Sequence, residues 1–385
     1  MYSVVVNCEK LPFTKTLGVS HFLIQLCSSL ASECELIFVV NDLNDFKKSD
    51  ARHIIRNISS DIVQFNKFNK TSIFEKNNYI ELLPHHFQEP CFSSKSIMIC
   101  HDLHVYDIGW KYNNVESVRE LFKQNIRNAG AVVTHFPRTY YCLERAAGII
   151  KKELFLTESP ILVDTRPTAP EIISANGQHL HNGVKELLYP AQLQEHKNHS
   201  ALIEAVVEFK KTGQKVRVLC PGSNFNETLT NKLTSLAKQK GVEAEIEFMG
   251  RVSDEKLRQL YWGCDGVIIP SLAEGGAYVA MEAIAAQKPV AVNRIDSAVQ
   301  HLRAIGADVI WFDATKTEST VTALKELVAA RPDVWSAANA TASQRIDQMT
   351  WEKVAKKWFT LLRWLSGESE RPLVHIDRDG WNIDI

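Results

Sequence analysis

Residues 270–282 read Pro-Ser-Leu-Ala-Glu-Gly-Gly-Ala-Tyr-Val-Ala-Met-Glu and directly follow a short apolar run that ends at Ile269. The run predicts a buried strand, the two glycines predict a tight turn, and the segment after them predicts a helix. Backbone amides at the start of such a helix lie at the carboxyl edge of a parallel sheet, where they can hold an anion. Gly275 and Gly276 would let the backbone approach a diphosphate closely.

Short apolar runs and longer amphipathic segments alternate on both sides of this turn, which is typical of βαβ units and a parallel sheet. Around the turn, the pattern predicts strands at Glu186–Tyr189, Val216–Cys220, Ala244–Met249, Asp265–Ile269, Pro289–Val292 and Val309–Phe312. It predicts helices at His199–Lys211, Glu227–Lys240, Asp254–Gly263, with Ser253 as the N-cap, and Ala277–Ala286. Residues 181–350 are therefore interpreted as one doubly wound, Rossmann-like domain.

The first part of the chain shows the same alternation less clearly. Strands are predicted at Val4–Val6, Leu36–Val40, Ile97–Cys100 and Ala131–Thr134, and helices at His21–Leu30 and Glu116–Asn128. The polar segment Asn41–Glu89 is expected to hold one weak strand and loops. A segment rich in Pro, Asn and Gly at 164–185 sets the domain boundary near residue 180, so that residues 1–180 form a second Rossmann-like domain.

The closing segment Trp351–Leu365 carries an apolar stripe at helical spacing, flanked by lysines and an arginine. A helix that packs on the first domain is the first interpretation, with a boundary at 351–366 and a tail at 367–385. The alternative is a basic amphipathic helix that lies on a membrane surface.

Composition narrows the function. Lys and Arg total 44 against 45 Asp and Glu, a net charge of -1 over 385 residues, which argues against general affinity for nucleic acid. No apolar run approaches the roughly 18 residues that a membrane-spanning helix needs. The N-terminus lacks the basic region of a signal peptide. The eight cysteines include no Cys-x-x-Cys pair, so a cytoplasmic protein with reduced thiols is expected; the alternative is a secreted protein with a few disulfides.

Four side chains are candidates for catalysis or ligand binding. Glu274 and Glu282 are predicted to face one crevice, where their carboxylates would accept hydrogen bonds from sugar or ribose hydroxyls; the alternative is two solvated glutamates. Lys197 lies between a strand and a helix, where its ammonium could pair with a phosphate; alone, it would be a solvated charge. His101 follows a strand, as either a catalytic group or a satisfied imidazole.

Taken together, the motifs resemble glycosyltransferase family 4, the retaining enzymes of GT-B architecture. Three family motifs occur in order, at Ala191–Lys197, Gly250–Leu257 and Pro270–Ala283, and the closing helix matches at Met349–Ala355. His196–His199 reads His-Lys-Asn-His, as in a subset of the family. The first domain matches weakly, through Gly18, Cys100–Leu103 and Ala131–Thr134.

The resemblance implies a role for each matched residue on the donor side. Lys197 would bind the diphosphate of a nucleotide-sugar, Glu282 the ribose, and Glu274 the hydroxyls of the transferred sugar. Backbone amides would meet the diphosphate or the sugar, and these belong to Gly275, Gly276, Ala277 and Tyr278.

The resemblance extends to four further positions. The backbone of Arg251 and Val252 would border the base, Gly18 would face the phosphates from the first domain, and His101 would lie near the reacting carbon and the acceptor. Gln192 stands where the family has a phosphate-binding Arg, so a charge-assisted contact is lost there.

A second departure is the family's Phe-Gly, which is Gly276-Ala277 here. The resemblance implies a metal-independent retaining hexosyltransferase without a cofactor, with a GDP- or UDP-sugar as donor and a glycan or lipid-linked glycan as acceptor. A role in bacterial surface polysaccharide assembly, such as lipopolysaccharide or capsule, would fit. Two alternatives stay open: a catalytically silent nucleotide- or glycan-binding partner in a synthesis complex, and a sugar-nucleotide epimerase.

Overall fold

The protein is divided by its internal contacts into two compact units. The first comprises Met1–Pro160 together with Met349–Ile385, and the second comprises Ile161–Gln348. The computed structural model describes residues 2–9, 11, 18–49, 52–65, 79–87, 95–147, 154–167, 183–223, 227–372, 375–376 and 383–384.

A seven-stranded parallel sheet forms the centre of the first unit, in the order β3-β2-β1-β4-β5-β6-β7. Its strands are β1 (Tyr2–Cys8), β2 (Cys34–Val40), β3 (Asp61–Gln64), β4 (Ile80–Leu83), β5 (Ser96–Cys100), β6 (Ala131–Thr134) and β7 (Leu154–Leu156). Its helices are α1 (Gly18–Leu30), α2 (Leu43–Lys47), α3 (Arg52–Ile58), α4 (His104–Asp107), α5 (Val115–Asn128) and α6 (Pro137–Ala147). Strands β5 and β6 are buried along their length, which is why they appear as continuous apolar runs.

A six-stranded parallel sheet forms the centre of the second unit, in the order β10-β9-β8-β11-β12-β13. Its strands are β8 (Lys185–Leu188), β9 (Val216–Pro221), β10 (Ile246–Gly250), β11 (Gly266–Ile269), β12 (Val290–Asn293) and β13 (Ile310–Phe312). Its helices are α7 (His199–Lys210), α8 (Glu227–Gln239), α9 (Asp254–Gly263), α10 (Tyr278–Ala285), α11 (Asp296–Ala304), α12 (Thr317–Ala329), α13 (Pro332–Ala338) and α14 (Ala340–Gln348). Both units are therefore doubly wound and Rossmann-like, as the sequence predicts.

The C-terminal helix α15 (Trp351–Ser366) returns to the first unit and packs on α1. Thr350 caps its start by accepting a hydrogen bond from the amide of Lys353, and Gly367 ends it in a left-handed conformation. Its apolar stripe is used in this packing, since Val354, Trp358 and Leu361 are at most 1% exposed. Packing, and not a membrane surface, therefore accounts for the stripe. Beyond α15 lies a short antiparallel pair, β14 (His375–Ile376) and β15 (Ile383–Asp384).

The polar segment Asn41–Glu89 is where the sequence-based assignment was wrong. Its described part contains two helices, α2 and α3, and two strands, of which β4 lies between β1 and β5 and is fully buried. The sequence analysis did not predict β4, because Glu81 interrupts the apolar run that would indicate a buried strand. The Glu81 carboxylate is completely buried and accepts a hydrogen bond of 2.8 Å from the side chain of Asn7.

The boundary between the two units lies between Pro160 and Ile161, whereas the sequence analysis predicts it near residue 180. Residues 161–167 belong to the second unit because they are bonded to helix α10: the amide of Val163 donates to the Glu282 carboxylate at 3.2 Å, and the Thr165 hydroxyl donates to the Glu282 carbonyl at 2.6 Å. Residues 168–182, which are part of the predicted boundary segment 164–185, lie outside the described residues.

Each of the two parallel sheets has one switch point, at which the order of successive strands reverses. In the second unit the strands run outward from β8 through β9 to β10, and then from β11 through β12 to β13, so β8 and β11 are neighbours with diverging connections. The first unit has the same arrangement at β1 and β4. Ligand sites of open α/β sheets form at such switch points, beyond the carboxyl ends of the strands.

The packing of α15 on the first unit can be tested at Trp358, which is 1% exposed. The Trp358→Ala variant is expected to lower the free energy of unfolding by about 3–5 kcal/mol, because a large cavity replaces the indole. The matched control is Trp110→Ala, since Trp110 lies in the same unit but is 59% exposed. Urea unfolding followed by circular dichroism measures both; equal effects would contradict the packing role of α15.

Candidate functional site

Lys197 and Glu274 meet at the switch point of the second unit. The Lys197 ammonium donates to both carboxylate oxygens of Glu274 at 2.7 Å. The two side chains are 17% and 18% exposed, so the pair is partly desolvated and still reachable from solvent. Lys197 ends the single helical turn Glu195–Lys197 after β8, and Glu274 lies in the turn after β11. The sequence predicts both as site residues, and the fold brings them into contact.

Tyr189 joins the two loops that carry this pair. Its hydroxyl donates to the carbonyl of Lys197 at 2.7 Å and lies 2.8 Å from the hydroxyl of Ser271. Because the single Tyr189 proton is used by the carbonyl, Ser271 is the donor in the second contact. Tyr189 is fully buried, and this burial, with the nearby Glu274 charge, raises its pKa well above the usual range. The hydroxyl therefore stays protonated and keeps the loops together.

Two asparagines extend the same connection across the sheet edge. Asn198 adopts a left-handed conformation at φ 57°, which asparagine tolerates, and its side-chain amide donates to the carbonyls of Pro270 and Ala314 at 3.2 and 3.3 Å. Asn293 donates to the carbonyl of Ser271 at 2.9 Å and accepts from the amide of Ala314 at 2.9 Å. The loops after β8, β11 and β13 are thus bonded to one another by side chains.

Glu282 is buried within helix α10, at 5% exposure. One carboxylate oxygen accepts the amide of Val163, and the other accepts the hydroxyl of Tyr261 at 2.8 Å. The predicted ribose contact requires a hydroxyl to donate to one of these two oxygens beside its present donor.

The predicted role of the Ala277 amide is corrected by the structure. This amide donates to Nδ1 of His301, at 3.0 Å, and is therefore not directed at a ligand. His301 lies on α11 and is 2% exposed, and burial lowers its pKa to about 4, so the ring is neutral at pH 7. Gly275 is half-buried and Gly276 is buried in the same turn.

The remaining predicted residues of this unit lie on other loops at the carboxyl edge of the same sheet. Gln192 is half-buried after β8, and its side-chain oxygen accepts a hydrogen bond from Gln194 at 2.8 Å. Arg251 is exposed and Val252 half-buried after β10. Gly222, after β9, packs so closely on the Gln192 loop that a Cβ there would lie 1.9 Å from the carbonyl oxygen of Ala191, so only glycine fits.

Two predicted residues, Gly18 and His101, belong to the first unit. Gly18 is exposed and begins α1, which is next to β1 in the chain. His101 follows β5 and is 9% exposed, with Nε2 3.0 Å from the carbonyl of Pro84. Because a carbonyl only accepts, Nε2 carries the proton and Nδ1 is left as an acceptor. Burial lowers the pKa of His101 to about 4, so the ring is neutral at pH 7.

The sequence analysis missed five residues that organise the site: Tyr189, Asn198, Tyr261, Asn293 and His301. Asn198 alone left a local signal, because an Asn that ends a helical turn is often left-handed. The others act on residues distant in the chain. Within the described part of the chain, no three His, Cys, Asp or Glu side chains are grouped as a metal would need. The described helices also include none long and apolar enough to cross a bilayer.

Comparison with known proteins connects this site to a family. Residues 173–341 match the family described as glycosyl transferases group 1. The match covers 169 of the 385 residues, which is less than half of the chain. The matched region holds Lys197, Glu274 and Glu282, so the pair at the switch point and the buried glutamate of α10 all lie inside it.

A D-inositol 3-phosphate glycosyltransferase of Rhodococcus opacus is 28% identical over 171 residues, which cover 43% of this chain and 38% of that protein. Solved structures share the fold over nearly the whole chain. The Anabaena protein HepE in complex with UDP-glucose has a TM-score of 0.71 at 15% identity, covering 94% of this chain and 100% of HepE. WaaG, a glycosyltransferase involved in lipopolysaccharide biosynthesis, has a TM-score of 0.68 at 13% identity, covering 94% and 100%. The GT-B fold class is thereby confirmed.

Because the Tyr189 hydroxyl connects two loops, the Tyr189→Phe variant is expected to be less stable than the wild type. Removing the hydroxyl leaves the carbonyl of Lys197 and the hydroxyl of Ser271 without this partner, so the free energy of unfolding is expected to fall by about 1–3 kcal/mol. Tyr141→Phe is the control, because Tyr141 is 54% exposed. Urea unfolding compares the two; a Tyr189→Phe variant as stable as the control would contradict the proposed connection.

Proposed function

We propose that this chain is a retaining glycosyltransferase that moves a sugar from a nucleotide-diphospho-sugar to a hydroxyl of a glycan or lipid-linked glycan. The observation that carries the proposal is the contact between Lys197 and Glu274 at the switch point of a group 1 glycosyltransferase domain. An ammonium and a carboxylate side by side match the two halves of such a donor. The diphosphate needs a cation, and the sugar hydroxyls need an acceptor.

The donor class is supported by the chemistry of the second unit and by the likeness to HepE, whose structure contains UDP-glucose. Lys197 would take the diphosphate, helped by the amides of Gly275, Gly276 and Tyr278 at the start of α10. Glu274 would take the sugar hydroxyls, and Glu282 the ribose. The backbone of Arg251 and Val252 would border the base, and neither residue selects UDP over GDP by charge.

The proposed mechanism follows from how the carboxylates are engaged. Glu274 is held by Lys197, and Glu282 is buried against Tyr261, so neither is disposed to attack an anomeric carbon. In a front-face displacement, the bond between the anomeric carbon and the diphosphate breaks and a bond to the acceptor oxygen forms on the same face. The acceptor proton passes to the departing diphosphate. Lys197 stabilises the charge that develops on this leaving group, and no metal is required in the proposal.

The biological setting is proposed as bacterial surface polysaccharide assembly in the cytoplasm. The likeness to WaaG, which acts in lipopolysaccharide biosynthesis, supports the setting at the level of the fold. The cysteines within the described residues are all free thiols, as expected in a reducing compartment. Gly18 and His101 would then serve the phosphates and the acceptor from the first unit.

Donor binding can be tested by thermal-shift measurements with GDP-, UDP-, dTDP- and CMP-sugars. A donor at about 100 times its dissociation constant is expected to stabilise the protein by about 2.7 kcal/mol. The Lys197→Ala variant is expected to lose this stabilisation. With the donor so identified, Lys197→Ala and Glu274→Ala are each expected to lower the transfer rate by about 100-fold or more without unfolding the protein.

Lys240→Ala is the matched control for these variants, because Lys240 pairs with Glu204 on the exposed surface of the same unit at 2.9 Å. Undiminished transfer by Lys197→Ala or Glu274→Ala would overturn the assignment. Donor binding without hydrolysis or transfer across a panel of acceptors would favour the silent-partner alternative instead.

The stereochemistry tests the mechanism independently. With an α-linked donor, the product is expected to be α-linked, as read from its anomeric proton by NMR. The rate is expected to persist in excess EDTA, because the charge on the leaving group is met by Lys197 and the amides. A β-linked product would contradict front-face displacement, and loss of activity in EDTA that Mg²⁺ or Mn²⁺ restores would contradict metal independence.

A further inference from the structure

Helix α10 begins without a capping side chain of its own. Its N-cap residue is Ala277, which makes no side-chain capping bond, and the third residue of the helix is Ala280. In a capping box, a Glu or Gln at that third position would bond back to the amide of the N-cap residue. Alanine cannot do so, and the amide of Ala277 therefore requires a partner from elsewhere in the fold.

That partner is His301, which comes from the neighbouring helix α11. Its Nδ1 accepts the Ala277 amide at 3.0 Å, across 24 residues of chain. Since a backbone amide only donates, Nδ1 must be unprotonated and the ring proton lies on Nε2. The ring is buried at 2% exposure, so water does not compete for this bond. His301 is thus a capping residue supplied through tertiary structure.

The bond fixes the backbone immediately beside the candidate site. Ala277 is three residues after Glu274 and directly precedes Tyr278, the first residue of α10. The intervening Gly275 and Gly276 have no side chains that would restrict their backbone. The conformation of this turn is therefore held at one end by the Lys197–Glu274 contact and at the other by His301.

We propose that His301 is a positioning residue, which aligns the Glu274–Ala277 turn so that the amides of Gly275 and Gly276 and the Glu274 carboxylate engage the diphosphate and the sugar of a nucleotide-sugar. The inference rests on the proposed function and goes beyond it, because His301 lies outside every motif that identifies the site. It acts through the backbone and makes no contact with the donor in this role.

The test compares His301→Leu with His301→Asn. Leucine fills a similar volume but accepts no hydrogen bond, whereas the Oδ1 of asparagine occupies nearly the place of Nδ1 and restores the acceptor. His301→Leu is expected to raise the dissociation constant for UDP or GDP, and the KM for the donor identified above, by about tenfold, with a smaller change in kcat. His301→Asn is expected to return both constants to within about threefold of the wild-type values.

The matched control is Asn339→Leu, which removes another buried acceptor from a backbone amide in the same unit. The Oδ1 of Asn339 accepts the amide of Asp308 at 3.0 Å, and its side chain is 3% exposed. It lies between α13 and α14, outside the candidate site. Asn339→Leu is expected to lower the thermal midpoint as His301→Leu does, but to leave the dissociation constant and KM unchanged.

The outcomes separate this inference from the proposed function. Isothermal titration with UDP and with GDP and a transfer assay are run on the wild type and all three variants. A wild type that binds neither nucleotide and transfers no sugar would overturn the proposed function, and this inference with it. If the wild type binds nucleotide and transfers sugar, three results would each overturn the inference alone. These are a His301→Leu variant with wild-type affinity and KM, a His301→Asn variant as impaired as His301→Leu, and an Asn339→Leu variant with the same change in KM as His301→Leu.

Discussion

The divergence of the chain between β8 and β11 is the constraint on which the candidate site depends. These strands are neighbours, but their connections lead to opposite sides of the sheet, so nothing in the sheet itself fills the space beyond their carboxyl ends. Two loops border that space, and they carry Lys197 and Glu274. Side chains 77 residues apart in the sequence thereby come within 2.7 Å of each other. No helix has to be distorted to bring them together.

Loops at such a position are ordinarily the mobile part of an α/β domain. Here they are held by side chains that are buried at Tyr189 and Asn293 and half-buried at Asn198, and each of the three connects one loop to another. Because an unpaired buried polar group destabilises a protein by about 1–3 kcal/mol, each of these bonds opposes any displacement of the loop it holds. The site is thus preorganised by the same bonds that stabilise the fold, which is what a mechanism based on charge stabilisation requires.

The sequence predicts those parts of the structure whose cause is local. Strands such as β5, β6 and β11 are buried on both faces and appear as apolar runs, and α9 is marked by Ser253, whose hydroxyl accepts from the amide of Lys256. It does not predict β4, because a buried pair formed with Asn7, 74 residues away, allows Glu81 in a central strand. It does not predict His301 either, because the amide that this ring accepts lies on another element. A single sequence does not show which distant residue will form a hydrogen bond with a buried polar group.

In the proposed function, the ion pair seen here must open for a donor to bind. Lys197 would exchange a carboxylate for a diphosphate, which carries more negative charge, and Glu274 would exchange an ammonium for neutral hydroxyls. The first exchange is favourable and the second is not, since a partly buried carboxylate loses its counter-charge and keeps only hydrogen bonds. The complete donor supplies both partners, whereas the nucleoside diphosphate left after transfer supplies only the first. Glu274 would then compete with the product for Lys197, so formation of the Lys197–Glu274 pair would favour release of the nucleoside diphosphate. The net charge of the whole chain, -1, does not oppose this exchange. The exchange depends only on the charges of Lys197 and Glu274 in one crevice.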